Sequence, residues 1–201
     1  MQITKIVLTG GPCAGKSEAA KRIKETFSKK GYTVLFIPET ATELISGGVC
    51  PWTCGTNLDY QIIQCKLQQY KEQMFDEAVR TMKEDRFLIV CDRAMLDNKA
   101  YMSEEEFNQV LKALNTNEEE INAGYDAVFH LVSAAKGLEQ FYIFENNAAR
   151  YETPEQAVRI DDLLIDSWKN HPNLKIINNY YDFNEKMDHL IEEISAFLNL
   201  N

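Results

Sequence analysis

Long apolar runs are missing from this chain. None of its 201 residues belong to a stretch approaching the roughly 20 apolar positions a membrane-crossing helix needs. Residues 1–9 are too short and too polar for a secretion signal. Positive charge is scarce too: 21 lysines and arginines face 31 acidic residues, a net charge of −10, which argues against a broad basic surface for nucleic acid. No internal repeat, low-complexity tract or linker interrupts the sequence, so a single domain over residues 1–201 is expected. The cysteines are few and odd in number: Cys13, Cys50, Cys54, Cys65 and Cys91. Without an export signal they predict reduced thiols in a cytoplasmic protein rather than a disulfide framework. Cys50 and Cys54 form a C-x3-C pair, but no second pair of ligands follows at comparable spacing, which argues against a structural zinc site.

What is present is a regular alternation. Five short, near-continuous apolar runs read as strands: Thr4–Thr9, Thr33–Ile37, Phe87–Cys91, Ala127–Val132 and Leu174–Ile177. Helical patterns separate them. Ser17–Lys30 carries Ala20, Ile23 and Phe27 and ends at Gly31; Asp59–Lys83 carries Ile62, Ile63, Leu67, Tyr70, Met74, Phe75 and Ala78. Ser103 with Glu106 and Thr153 with Gln156 form capping boxes, the second with Pro154 at the first helical position. The last helix is amphipathic through Met187, Leu190, Ile191, Ile194, Phe197 and Leu198. Apolar strands joined by helices predict an α/β fold, a three-layer parallel sheet covered on both faces.

The stretch Leu8–Ala20, LTGGPCAGKSEAA, follows the first strand and opens the first helix. Gly10-x4-Gly15-Lys16-Ser17 is a complete Walker A pattern in its proper strand–loop–helix context. Glycines let the backbone wrap a phosphate with N–H groups inward, and the helix adds its positive end. The reading assigns nucleotide binding to Gly10, Gly11, Pro12, Cys13, Ala14, Gly15, Lys16, Ser17 and Glu18. Lys16 reaches the β- and γ-phosphates, and the Ser17 hydroxyl binds Mg2+. Cys13 is read as a spacer.

In open α/β sheets ligands sit beyond the carboxyl ends of the strands. There the second strand ends in Pro38-Glu39 and the third in Asp92-Arg93. Asp92 resembles a Walker B acid that holds Mg2+, and Arg93 is placed to stabilise charge on a transferred phosphoryl group. Glu39 suits the carboxylate that accepts a proton from an acceptor hydroxyl. A lid arginine is expected between the fourth and fifth strands, with Arg150 the first candidate and Arg159 the second. His130, inside an apolar strand, reads as a satisfied core histidine. Tyr60, Tyr70, Tyr101, Phe141 and Tyr142 read as core, with a base-binding pocket as the alternative.

The blocks IVLTGGPCAGKS, IPETATELISGG, CDRAMLDNKAYM, YDAVFHLVSAA, ENNAARYETPEQA and HPNLKIINN, in that order, resemble a family of small P-loop proteins labelled AAA-type ATPase domains. They are similar to the ribosylnicotinamide kinase domain of bacterial NAD-biosynthesis regulators. The resemblance runs from Ile3 to about Asn179. It implies a nucleoside-kinase-like P-loop NTPase fold with sheet order 2-3-1-4-5, and binding of ATP (or GTP) with Mg2+. Deoxynucleoside kinases share the logic of a glutamate after the second strand and an acid–arginine pair after the third, positions that Glu39, Asp92 and Arg93 match. These 201 residues lack the second helical domain of a hexameric AAA motor, so a monomer or homodimer is expected. The sequence therefore predicts a kinase that transfers γ-phosphate to a small hydroxyl acceptor, of nucleoside or ribosyl type, under a cap near residues 46–60 and a lid near 138–153. The alternative is a slow ATPase or GTPase that switches a protein partner. An N-K-x-D guanine-reading motif is absent, which weighs against an ordinary GTPase.

Overall fold

The computed structural model describes residues 1–138 and 153–200. The elements run β1 (Gln2–Gly10), α1 (Lys16–Lys29), β2 (Thr33–Ile37), α2 (Thr40–Ser46), α3 (Asn57–Val79), β3 (Arg86–Asp92), a 3-10 segment (Met95–Tyr101), α4 (Glu104–Leu114), α5 (Glu118–Ala123), β4 (Ala127–Leu131), α6 (Pro154–Trp168), β5 (Leu174–Ile177) and α7 (Phe183–Phe197). All strand pairings are parallel and the order is β2-β3-β1-β4-β5. Both capping boxes form: Ser103 with Glu106 starts α4, and Thr153 with Gln156 starts α6 with Pro154 in its first turn.

The strands bury side chains on both faces, as crossover helices require. On one face Ile6, Leu8, Leu88, Val90 and Phe129 pack against Ile23 and Phe27 of α1 and Met187, Leu190 and Ile194 of α7. On the other, Val7, Ile89, Cys91 and Val128 pack against Cys65 of α3, Phe107 and Val110 of α4, and Trp168 of α6. Two short helices, α2 and α5, were too brief for a periodic signal. In α1 the buried small residue is Ala19, with Ala20 half-buried.

α3 departs most from expectation. It ends at Val79 rather than Lys83, and its fully buried positions are Tyr60, Gln61, Cys65, Gln68 and Val79, while Ile62 and Phe75 of the expected stripe are half-buried against the core. Of the expected stripe, Ile63 and Tyr70 are 43% and 58% exposed. The inward face keeps helical spacing but much of it is glutamine, because it packs over polar structure. The Gln68 amide accepts from the Thr40 hydroxyl and donates to Glu72 at 2.7 Å, and Glu72 accepts from the Tyr125 hydroxyl at 2.8 Å. Gln68, buried, and Glu72, half-buried, have partners in this way, which makes their burial tolerable.

Candidate active site

β1 leads directly into the Walker loop. Gly10 has φ +150, and a Cβ there would lie 2.3 Å from the Leu131 carbonyl oxygen; at Gly15, with φ +94, it would lie 2.7 Å from the Phe183 ring. Only glycine suits either position. Gly15 is the cap of α1 and brings no side chain to its first turn. The N–H groups of Lys16, Ser17 and Glu18 therefore stand at a helix start, where such groups have no intrahelical partner and favour an anion. The Glu18 carboxylate itself pairs with Arg22 at 3.8 Å. Cys13 holds a left-handed conformation, φ 56, in the bend of the loop between Pro12 and Ala14. The Gly11 N–H is committed elsewhere: it donates to Asp161 Oδ1 at 2.9 Å, so Gly11 serves the loop through its missing side chain, where a Cβ would strike Asp161.

The register aligns the carboxyl ends of three adjacent strands, with Ile37 of β2 opposite Cys91 of β3 and Leu8 of β1 opposite Asp92. Glu39 and Arg93 consequently meet: Arg93 Nε lies 2.6 Å from Glu39 Oε1. Arg93 also adopts φ 63, and its N–H donates to the Leu8 carbonyl at 3.1 Å. A bulky residue in that region is strained, which is a feature of constrained sites. Burial alone would raise the Glu39 pKa, but the charges of Arg93 and Lys16, with hydrogen bonds from Thr42 and Arg93, bring it down to about 2. Lys16 is shifted below its ordinary value by burial and by the Arg93 charge, against the pull of Asp92, Glu39 and Asp97. Asp92 is shifted upward by burial, with Lys16 opposing. Its Oδ1 is buried and finds no partner among the described residues.

Lys16, Glu39 and Arg93 share the wall of a cavity of about 320 Å³. Its lining also includes Thr40 and Ile45 of α2, Pro51 and Trp52 of the following turn, Tyr60, Gln61 and Gln64 of α3, and Asp97, Asn98 and Tyr101 of the 3-10 segment. Three buried polar atoms on these residues find no partner among the described residues: Tyr60 Oη, Gln61 Oε1 and Arg93 Nη1. Each is costly if left so, and all three belong to residues that line this one cavity. Asp97 is fixed rather than open. Its Oδ1 accepts from Thr9 and from Trp168 Nε1 at 3.1 Å, and its Oδ2 from the Ala94 N–H at 2.7 Å.

The other candidates fall as follows. Arg150, Phe141, Tyr142 and most of the 138–153 segment lie outside the described residues. Arg159 is exposed on α6, and Tyr70 points outward. His130 is fully buried, with Nε2 3.1 Å from Asp161 Oδ1. Asp161 itself carried no sequence signal beyond its helix, yet its Oδ1 also accepts from the Ser133 N–H at 3.1 Å while Oδ2 pairs with Lys136 at 2.7 Å. Asp97, Gln61 and Gln64 were missed too; glutamines at i, i+3 on a helix after the second strand were the available clue.

A parallel sheet of this order with a Walker loop after β1 and charged groups at the β2 and β3 ends defines the P-loop NTPase fold in its nucleoside- and nucleotide-kinase form. The profile of a family described as AAA domain matches residues 5–186, and the chain belongs to that family. Among solved structures it is similar to deoxyadenosine kinase from M. mycoides with bound dATP, at 14% identity and a TM-score of 0.63. It is also similar to thymidylate kinase from Ehrlichia chaffeensis, at 13% identity and a TM-score of 0.59. Both alignments cover 96% of this chain and 100% of the other. No curated protein matches.

Proposed function

We propose that this protein is a small-molecule kinase that transfers the γ-phosphate of ATP to a hydroxyl of a nucleoside- or ribosyl-type acceptor. The observation that carries this reading is the cavity. A hydrolase needs only to position water, whereas here the phosphate-loop lysine, a carboxylate and an arginine border a space large enough for an acceptor. The likeness to a deoxyadenosine kinase supports the direction without naming the substrate.

In this reading the Walker loop holds the triphosphate. Mg2+ would be held by the Ser17 hydroxyl and Asp92, whose orphaned buried Oδ1 suits a hard cation. When bound it neutralises charge between the phosphates. Glu39 stays ionised and orients the acceptor hydroxyl, taking its proton as the phosphoryl group arrives. Arg93 holds Glu39 through Nε and leaves Nη1 for the transferred group. An acceptor filling the cavity would displace water and so favour transfer over hydrolysis. Arg150, or Arg159, would add a lid contact.

The test is transfer from γ-labelled ATP with Mg2+ to a panel of nucleosides that includes nicotinamide riboside. A labelled product that disappears in Glu39→Gln, with nucleotide binding retained, is the expected result. Free phosphate alone, independent of every acceptor, would overturn it in favour of a nucleotide-dependent switch.

A further inference from the structure

The Walker loop is gripped from behind by a buried lysine that the chemistry above does not use. Lys186, in the first turns of α7, is 3% exposed. Its ammonium donates to the Ala14 carbonyl at 2.9 Å, the Val132 carbonyl at 2.6 Å and Asn179 Oδ1 at 3.0 Å. Three donors meet three acceptors. Asn179 is itself fixed, its amide donating to the Ser133 and Lys136 carbonyls at 2.8 Å each. One ammonium thus gathers the phosphate loop, the end of β4 and the segment after β5.

The consequence lies in peptide geometry. The Ala14 carbonyl and the Gly15 N–H are opposite edges of one planar trans peptide. Holding the carbonyl outward on Lys186 turns the Gly15 N–H the other way, into the concave side of the loop. Gly15 sits at φ +94 with no side chain to resist a flip of that peptide, so an external grip is needed.

We propose that Lys186 is a positioning residue of the nucleotide site: its ammonium fixes the Ala14–Gly15 peptide for phosphate binding, and nucleotide affinity falls when that ammonium loses its proton. The proposal rests on the reading of the Walker loop as the nucleotide site. A neutral amine has two N–H groups and a lone pair, so one of the three oxygens would face the lone pair and lose its bond. Burial brings the Lys186 pKa down to about 8, within reach of ordinary buffers. The charged group acting on it from a neighbouring element is Asp161 of α6, which favours the ammonium and is itself held by His130 of β4 and Lys136. The phosphate loop, the end of β4 and the segment after β5 present neutral oxygens to it.

Two pH effects of opposite sign follow. The folded-state pKa lies below the usual lysine value, so between pH 8 and about 10 the unfolded chain holds a proton that the folded chain has lost. Relative to Lys186→Met, wild type therefore gains stability over that interval. Nucleotide affinity falls over the same interval. A lysine with a merely structural role would not separate the two.

The experiment measures ATP–Mg2+ affinity by calorimetry and stability in urea for wild type, Lys186→Arg and Lys186→Met between pH 7 and 9.5. Wild type should lose about tenfold in affinity across the range, as expected when a coupled proton is removed. Lys186→Arg, charged throughout, should bind as wild type does at pH 7 and show no such loss; Lys186→Met should bind about tenfold more weakly at every pH. A decline that persists in Lys186→Arg belongs to Lys16 and overturns the proposal, as does Lys186→Met binding like wild type. If the variants do not fold, the 13Cε resonance of Lys186 in wild type must titrate at higher pH once ATP is added, and an unchanged midpoint overturns it. Wild type that binds no nucleotide at pH 7 overturns the site reading as well; wild type that binds without responding to Lys186 overturns this proposal alone.

Discussion

Each charged residue at the strand ends carries a separable consequence. Lys16, the first residue of α1, feels the carboxylates of Asp92, Glu39 and Asp97 and the opposing charge of Arg93. Lys16→Ala should weaken ATP binding at least tenfold, about 1.4 kcal/mol or more, by equilibrium dialysis. Glu39 gives a pH signature. Its folded pKa of about 2 lies below the ordinary 4.5, so the stabilisation of its pair with Arg93 is present above pH 4.5 and is lost as pH falls through about 2. The shift corresponds to at most about 3 kcal/mol, less for the part of the side chain that water screens. Urea titrations of Glu39→Gln should show a flatter loss of stability between pH 4.5 and 2 than wild type.

At the scale of elements, α6 and α3 make contrasting demands. Asp161 ties α6 to the Walker loop and to the end of β4 by accepting from Gly11, Ser133 and His130 while pairing with Lys136. Asp161→Ala would strand these donors in a buried space, at a cost of about 3 kcal/mol or more. Differential scanning calorimetry should show a melting temperature lower by about 6–12 °C for a chain of this size. The outward stripe of α3 demands little. Tyr70→Ser and Ile63→Ser should each change stability by no more than about 0.5 kcal/mol, whereas Val79→Ala, on the same helix but fully buried, should cost about 1–2 kcal/mol.

Across the whole molecule, the crevice forms because β2, β3 and β1 end side by side, which brings residues 16, 39 and 93 to one wall. Loop and cavity should therefore be stabilised together by ligand. At one hundred times its dissociation constant, ATP with Mg2+ should add about 2.7 kcal/mol, raising the melting temperature by about 5–10 °C. Chelation of Mg2+ should remove most of that increment, and Lys16→Ala should abolish it.

The strands and the Walker loop were legible in the sequence because their signals are local: an apolar run, a fixed glycine spacing, a capping box. Sheet order came from resemblance to a family, not from any local pattern. The face α3 turns inward was legible only in part: Ile62 and Phe75 do pack against the core, but Gln61, Gln64 and Gln68 line the cavity, and a polar cavity leaves no apolar period in the sequence. Lys186 and Asp161 were invisible for a related reason. Each is one charged residue on an amphipathic helix, and its role comes from carbonyls and N–H groups as many as 172 positions away. The elements and the glycine-rich turn between β1 and α1 follow from neighbours along the chain and could be read from the sequence. The tertiary structure alone decided which buried polar groups hold that turn in shape, because their partners become neighbours only when the sheet assembles.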